Sequence, residues 1–569
     1  MSIGHWVLWG VAAAASPAEP DGGTALVPAF EAELQRSLGA LALPGAPPIY
    51  HMRYRWTWAE ALRVEAEGGA LIAERHTPIR RFAAEVRLGS PAFDNTGFGG
   101  WEDGFQRAWL PELASPAAAR VIAWRATDTA YKQAVEQIAR KTAQFTPPPE
   151  YPGDYTLTGP ARFDEAAGPA LDPAALRALA LQVAAPLARP DLRDGRAVVQ
   201  AEAGSLWQID SEGSRGRHAV GEVVVQAYAE VQLPDGLLVT DQRLWTASSL
   251  ADLPPPAALE RASAEMGSAL AALTAAAPLS EEVVGPVIFE GDAALALVRG
   301  LLVRQLEGTP PEATFDSWFG ELGAAGGGVR VGRRVLPPGW SAIDDPSADR
   351  GAPWSHGVDL EGTPAHPVAL VEDGIARRLL LSRVPRVGQS ESTGSAREGF
   401  GERAVARAAR LEVRAPRAVS SERLVREGLA LAADYGRDWI LIVRRLEEPA
   451  MLPAGFYPDE GGPLPPPVHW VRRYADGREE PLRGGSFSGV QRWLLRDIVA
   501  AGPQRSGAYL AAEGDSDARY GRQPASGLVT WLSAPDVLIG EVEVVPRSGD
   551  PDDLPAYPAP ALASAPAPR

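Results

Sequence analysis

The stretch Gly285-Pro286-Val287-Ile288-Phe289-Glu290-Gly291-Asp292, followed by Leu295, Val298 and Leu302, reads as a strand, a tight turn and a helix. The apolar, β-branched run is long enough for one buried strand, and the later apolar residues recur at helical steps. Gly291 supplies the turn, and Asp292 has the side chain of a helix cap. The turn sets Glu290 close to the helix N-terminus, where a carboxylate is stabilised by the helix dipole. This strand and helix stand within a chain otherwise rich in strand and hairpin signals.

On the N-terminal side, Phe30 to Leu41 has the spacing of a short amphipathic helix, ended by Pro44 to Pro48. Tyr50, Met52, Tyr54 and Trp56 alternate with His51, Arg53 and Arg55, so this strand has one apolar face and one charged face. Arg63 to Glu67 and Arg81 to Gly89 repeat the period, which predicts an antiparallel sheet. Ser115-Pro116 opens the longest helix, running to about Phe145, with a capping hydroxyl and a proline where no N–H is needed. Val121, Trp124, Tyr131, Val135 and Ile138 are its expected packing face. A second helix opens at Asp172-Pro173 and fades by Pro186. Val223 to Leu233 is an alternating strand, and Pro234-Asp235-Gly236 turns it back into Leu237 to Leu244, because Asp-Gly tolerates the positive φ of a hairpin.

The same turn chemistry recurs at Glu372-Asp373-Gly374 and Ala475-Asp476-Gly477, so hairpins continue into the second half. Gly323 to Gly332 reads as a flexible boundary. The expected organisation is an N-terminal lobe of antiparallel sheet with helices, residues 23–153, a central α+β domain, residues 154–321, and a C-terminal β-rich domain, residues 333–545. The Pro/Ala/Asp-rich residues 546–569 lack periodicity and are expected to be a disordered tail.

Composition bounds the chemistry. The 569 residues contain no cysteine, which removes disulfide scaffolds, thiolate zinc sites, iron-sulfur clusters and cysteine nucleophiles. A net charge of −17 argues against a partner held mainly through phosphate neutralisation, so no nucleic acid is expected. No apolar run reaches the roughly 18 residues of a membrane span. Trp6 to Ala15 is apolar and precedes Ser16-Pro17-Ala18 and Glu19, the pattern of an export signal over residues 1–18, although no basic start precedes it. A real signal makes the mature protein periplasmic or extracellular; without it the location is cytoplasmic.

Familiar catalytic patterns do not occur. The seven histidines are scattered, and the nearest two, His356 and His366, stand in a loop-like region where a hydrogen-bonding role is the simpler reading. There is no G-x-S-x-G nucleophile turn. Gly323 to Gly328 lacks the Gly-Lys-Ser/Thr of a phosphate loop. Asp344, Asp345, Asp359 and Glu361 are acidic but lack EF-hand order, and read as a solvated loop.

The Gly285–Asp292 stretch resembles the junction before the C-terminal domain in the TldD/PmbA (TldD/TldE) family of bacterial metallopeptidase-related proteins. The resemblance extends through Asp359-Leu360-Glu361-Gly362-Thr363-Pro364, the hairpin Val371-Glu372-Asp373-Gly374-Ile375-Ala376, Arg383, and the loop Ser392-Thr393-Gly394-Ser395-Ala396-Arg397. In the N-terminal half it continues in Glu85-Val86-Arg87-Leu88-Gly89, in Asp94-Asn95-Thr96 and in residues 126–134. It therefore covers most of the chain, from about Phe30 to Val545.

What the resemblance implies is a two-lobed α+β protein that pairs with a related TldD-like subunit, or with itself, around a cavity that accepts a peptide substrate in proteolysis or peptide maturation. In the family's active branch the strand-turn-helix carries His-Glu-x-x-x-His, and a later cysteine completes a zinc site. Aligned on the Val-Ile-Phe strand, the corresponding residues here are Glu290, Gly291 and Leu295, which places the chain in the branch lacking the zinc motif. No catalytic residue, metal or cofactor is then expected. Glu290, Asp292 and Arg397 are the candidate cavity residues. The alternative is a stand-alone binding or structural protein that keeps the fold without catalysis.

Overall fold

The structure is a computed structural model and describes residues 22–99, 103–310, 330–398, 403–447, 464–511 and 528–554. The expected export signal and most of the Gly323–Gly332 segment lie outside the described residues. Among the described residues no helix is long and apolar enough to cross a membrane.

An eight-stranded sheet organises the first half. Strand β1 (Ile49–Glu67) turns through Gly68 and Gly69, both at positive φ, into β2 (Ala70–Ser90). Two glycines in this conformation suit the twist of a two-residue hairpin, so the two segments with period-two patterning belong to one long ribbon. β1 pairs on its other side with β3 (Asp194–Asp210), which pairs with β4 (Arg215–Gln232) and through it with β5 (Leu238–Ala247). The sheet is thus continuous across residue 153. The hairpin between β4 and β5 is the expected one, with Gly236 at φ 84°.

Even-numbered residues of β1, from Met52 to Ala66, face a helical layer. It consists of α1 (Val27–Ala40), α2 (Pro116–Gln144), α3 (Pro173–Ala184) and α4 (Pro256–Ala272). Ser115 and Asp172 cap α2 and α3 through their side chains, as their sequences indicate. The packing face of α2 differs from expectation. Val121 and Trp124 are 45% and 44% exposed, whereas Ala119, Ala123, Ala126, Ala130 and Ala134 form the buried stripe with Tyr131 and Ile138. Small side chains let the helix lie close to the sheet, and the bulky residues at the other phase are turned outward.

The charged face of β1 is not solvated. His51, Arg53 and Arg55 are buried. They lie beneath the second half of the chain, with Arg53 reaching the Glu361 carboxylate at 3.4 Å and Arg55 paired with Glu398.

That second half is built on a 12-stranded mixed sheet. Its labelled strands are β6 (Val283–Phe289), β7 (Ser341–Asp344), β8 (Val368–Glu372), β9 (Arg410–Arg414), β10 (Trp439–Leu446), β11 (Pro467–Tyr474), β12 (Glu479–Arg483), β13 (Ile498–Ala511) and β14 (Leu528–Pro546). The order runs β8-β7-β9-β14-β6-β10-β11-β12, with β13 also on β14. The hairpins at Asp373-Gly374 and Asp476-Gly477 form as expected. One face holds the largest core, around Phe289, Leu297, Leu301, Val443 and Val537. The other is covered by the helix Ser421–Asp434, packed on Ile288, Ile440, Ile442 and Leu538. Sheets with segregated helices make this an α+β fold with a strand-rich C-terminal half. Past β14 the described chain continues to Leu554, where Gln232 Nε2 donates to the carbonyl of Asp553 at 2.9 Å.

One half-buried feature gives a pH test. Glu202 and Glu222 stand directly opposite on β3 and β4, a like-charge pair. Burial, then the charge of Glu202, push the Glu222 carboxyl up to about 8. A carboxyl raised in the fold binds its proton more tightly than in the unfolded chain. Its contribution is therefore present below about pH 4.5 and lost as pH rises through about 8. Glu222→Gln is expected to gain on wild type by on the order of 1 kcal/mol between pH 5 and pH 8.5 in paired thermal melts. A difference that does not change with pH would contradict this assignment.

Candidate functional site

The strand-turn-helix forms, with its cap supplied differently from expectation. Gly291, at φ 62°, occupies the N-cap position, and Asp292 is the first residue of α5 (Asp292–Val298), with no side-chain cap bond. The capping carboxylate is Asp536 of β14, which accepts the Gly291 N–H at 2.8 Å and is held by Arg505 at 2.6 Å. Asp292 is freed to face outward and accepts from Arg243 at 2.5 Å and from Arg445. Beyond α5 the helix widens into a π turn, Arg299–Val303, before Arg304–Leu306. Such turns occur mostly as single insertions and are frequent at functional sites.

α5 borders a cleft of about 260 Å³ between the two halves of the chain. β5 contributes Gln242, Arg243, Leu244 and Trp245, the helix contributes Asp292, Leu295, Ala296 and Arg299, and β13 contributes Gly507, Ala508 and Tyr509. Among the described residues β5 pairs only with β4, and β13 only with β14. Each strand therefore brings a sheet edge to the cleft, and an edge offers backbone groups to an added strand.

Arg445, near the end of β10, ties this corner together. It donates to Asp241, to Asp292 and to the Gln242 carbonyl. His469 Nε2 lies 2.8 Å from the second oxygen of Asp241. Burial pushes the Asp241 carboxyl up, but Arg445 and His469 outweigh it and hold the group below its ordinary range. Burial pushes the Tyr509 hydroxyl up, so it stays protonated.

The zinc implied by the family's active branch does not fit these residues. In the register of the Val-Ile-Phe strand the positions are Glu290, Gly291 and Leu295, and Glu290 is already bound to Arg444 at 2.5 Å. A pair five residues apart matches the repeat of a π turn, and here that spacing joins Arg299 to Arg304. Neither register supplies an imidazole, and guanidiniums repel a cation. Among the described residues no three His, Asp or Glu side chains are grouped to hold a metal ion.

The three sequence-derived candidates separate. Asp292 lines the cleft. Glu290 turns to Arg444 beside it. Arg397 is buried and donates to the carbonyls of Ala408 at 2.6 Å and Val529 at 2.8 Å, a structural role away from the cleft lining. Arg243, Arg299 and Arg445, which carry the cleft's charge, have no local signature that marks them in advance. The nearest hint is the Arg444-Arg445 pair ending an otherwise apolar strand.

A second polar cluster clamps the lobes. Arg383 donates its backbone N–H to Glu361 at 2.5 Å, its Nε to the Thr156 carbonyl at 2.7 Å, and a terminal nitrogen to Glu212, and its guanidinium lies 4.5 Å over the Tyr155 ring. Tyr155 in turn accepts from Arg53 at 2.5 Å. The acidic turn is buried rather than solvated. Asp359 accepts the N–H groups of Glu361, Thr363 and Ala396, and burial together with Glu361 nevertheless pushes its carboxyl up to about 7. Of the two loop histidines, His356 bonds the Gly394 carbonyl at 2.9 Å, and burial lowers its ring to about 4, leaving it neutral.

Residues 282–432 match the PmbA/TldA metallopeptidase C-terminal domain. No curated protein sequence matches the chain. Solved structures with the same fold include a proposed modulator of a DNA gyrase from Thermotoga maritima, at 15% identity and TM-score 0.56, spanning 91% of this chain and all of that one. TldE from Thermococcus kodakarensis is similar at 13% identity and TM-score 0.51, again over 91% of this chain and all of that one. A proposed modulator of DNA gyrase from Bacteroides thetaiotaomicron is similar at 10% identity and TM-score 0.53, over 92% of this chain and 98% of that one. The matched segment contains the strand, turn and π-widened helix that border the cleft and the acidic turn and Arg383 of the clamp, and on that match residues 282–432 are similar to the C-terminal domain of the PmbA/TldA metallopeptidases.

Proposed function

We propose that this chain is a subunit without a metal centre, which supplies one wall of a peptide-accepting cavity while a metal-bearing relative carries out hydrolysis. The observation that supports this reading is the cleft at α5. The cleft beside the strand-turn-helix presents guanidiniums between two sheet edges and, among the described residues, no imidazole. Such a site lacks the donors to activate water on a metal, yet it has the parts that hold an extended chain. Edge strands pair with a peptide backbone, and the apolar residues Leu244, Trp245 and Leu295 give side-chain contacts. No reaction step is assigned to this chain's own residues; their part is to bind and orient the peptide.

The test is reconstitution. The purified chain, a relative carrying His-Glu-x-x-x-His from the same cell, and the two mixed are assayed on an unstructured peptide with and without chelator. Chelator-sensitive cleavage that rises at least tenfold on mixing is the expected result. Equal cleavage by the relative with or without this chain would contradict the proposal.

A further inference from the structure

Among the described residues, Arg243 has hydrogen-bonding capacity left unused. A guanidinium carries five N–H donors. Arg243 gives one to Asp292 at 2.5 Å and makes no other side-chain hydrogen bond among the described residues, although its charge also acts on Asp241. Its side chain is 35% exposed where it lines the cleft. Asp292 is itself shared with Arg445, so a single carboxylate faces two guanidiniums. Arg299 adds a third, 5.2 Å over the Tyr509 ring, at the start of the π turn.

Three guanidiniums and one carboxylate line this cleft, with the ionised Asp241 buried behind Arg445, in a chain whose net charge is −17. A basic recess in an acidic protein concentrates anions locally and repels cations. Of the anions, phosphate commonly uses backbone N–H groups at a helix N-terminus. Here Asp536 holds the Gly291 N–H and the Asp292 carboxylate stands in the first turn, two negative charges that oppose a phosphate at that end. The planar fork of arginine matches a carboxylate, and the apolar wall beside it suits an amino-acid chain.

From this we infer that the cleft selects peptides bearing a carboxylate, received by Arg243 within the field of Arg299 and Arg445. The inference rests on the peptide-cavity reading and adds its selectivity. The carboxylate has two sources, a free C-terminus or an acidic side chain.

The test uses the full chain and one N-acetylated, fluorescently labelled Ala/Gly octapeptide in three forms: C-terminal amide, C-terminal acid, and amide with one central glutamate. Anisotropy titrations at low salt give the affinities. At least one charged form is expected to bind tenfold or more tightly than the neutral amide, the gain shrinking as salt rises. Gain with the acid alone assigns the C-terminus, gain with glutamate alone assigns the side chain, and gain with both assigns the charge itself. Arg243→Gln, at a half-exposed position that leaves the Asp292–Arg445 pair in place, is expected to reduce the gain below twofold. Equal affinity for all three forms, or a full gain retained in Arg243→Gln, would overturn the selectivity while leaving peptide capture standing. Failure of every form to bind would overturn both.

Discussion

Arg383→Ala is expected to destabilise the junction of the two lobes by about 3–5 kcal/mol at neutral pH, the scale for removing one partner from a buried ion pair. Its side chain is fully buried, and its loss takes from Glu212 its guanidinium partner, leaving His51 and the Thr158 and Gly159 N–H groups, and removes a cation from beside the equally buried Glu361. The variant should also change the acid limb. Burial raises Glu212, but His51 and Arg383 together hold it at about 2. A depressed carboxyl contributes stability that is present above its ordinary value of about 4.5 and lost as pH falls through about 2. The difference between wild type and Arg383→Ala should therefore be largest at pH 7 and shrink below about pH 4.5. Urea titrations followed by hydrogen exchange at β1 and at residues 359–383 measure this, since a chain of this size need not unfold in one step. Arg378→Ala, at an exposed position, is the control, expected within about 0.5 kcal/mol of wild type. A loss under about 1 kcal/mol for Arg383→Ala would show that the cluster does not clamp the lobes.

Gly507→Trp is expected to abolish peptide capture while leaving the fold intact. Gly507 lies on β13 at the cleft, outside the positive-φ region, so a side chain brings no backbone strain. A Cβ there meets only the Leu295 Cδ1 at 3.3 Å, a flexible side-chain end that lines the same cleft. An indole at this point fills much of a 260 Å³ space and covers the sheet edge. Excluding the ligand from its main contact should weaken octapeptide binding by about 100-fold or more, roughly the loss of one strong hot spot. Anisotropy gives the affinity, and an unchanged melting midpoint shows that folding is retained. Binding within threefold of wild type would place the peptide elsewhere.

Much of the fold is local chemistry and was readable as such. Ser115 and Asp172 with their following prolines mark helix starts, and the Asp-Gly turns at 235, 373 and 476 mark hairpins, because each signal acts within a few residues. The parts that were not readable depend on distant segments. His51, Arg53 and Arg55 look like a solvated strand face until residues 359–398 cover them. The alanine stripe of α2 was overlooked because size, and not apolarity alone, decides how closely a helix approaches a sheet. Asp292 resembles a cap by sequence, but Asp536, 244 residues later, takes the cap and leaves Asp292 to the arginines. The cleft combines residues 243, 299, 445 and 507, brought together by strand order and not by spacing, so only Asp292 of its lining was legible.

The most direct test of the central claim is the zinc content and peptidase activity of the complex formed with a metal-bearing relative. Elemental analysis of the purified chain alone should find far less than one zinc per chain, and the pair should hold one, bound by the relative. Cleavage by the pair should stop with chelator, return with zinc, and fall at least tenfold when this subunit carries Gly507→Trp. About one zinc per copy of this chain on its own, or chelator-resistant cleavage by it alone, would contradict the account.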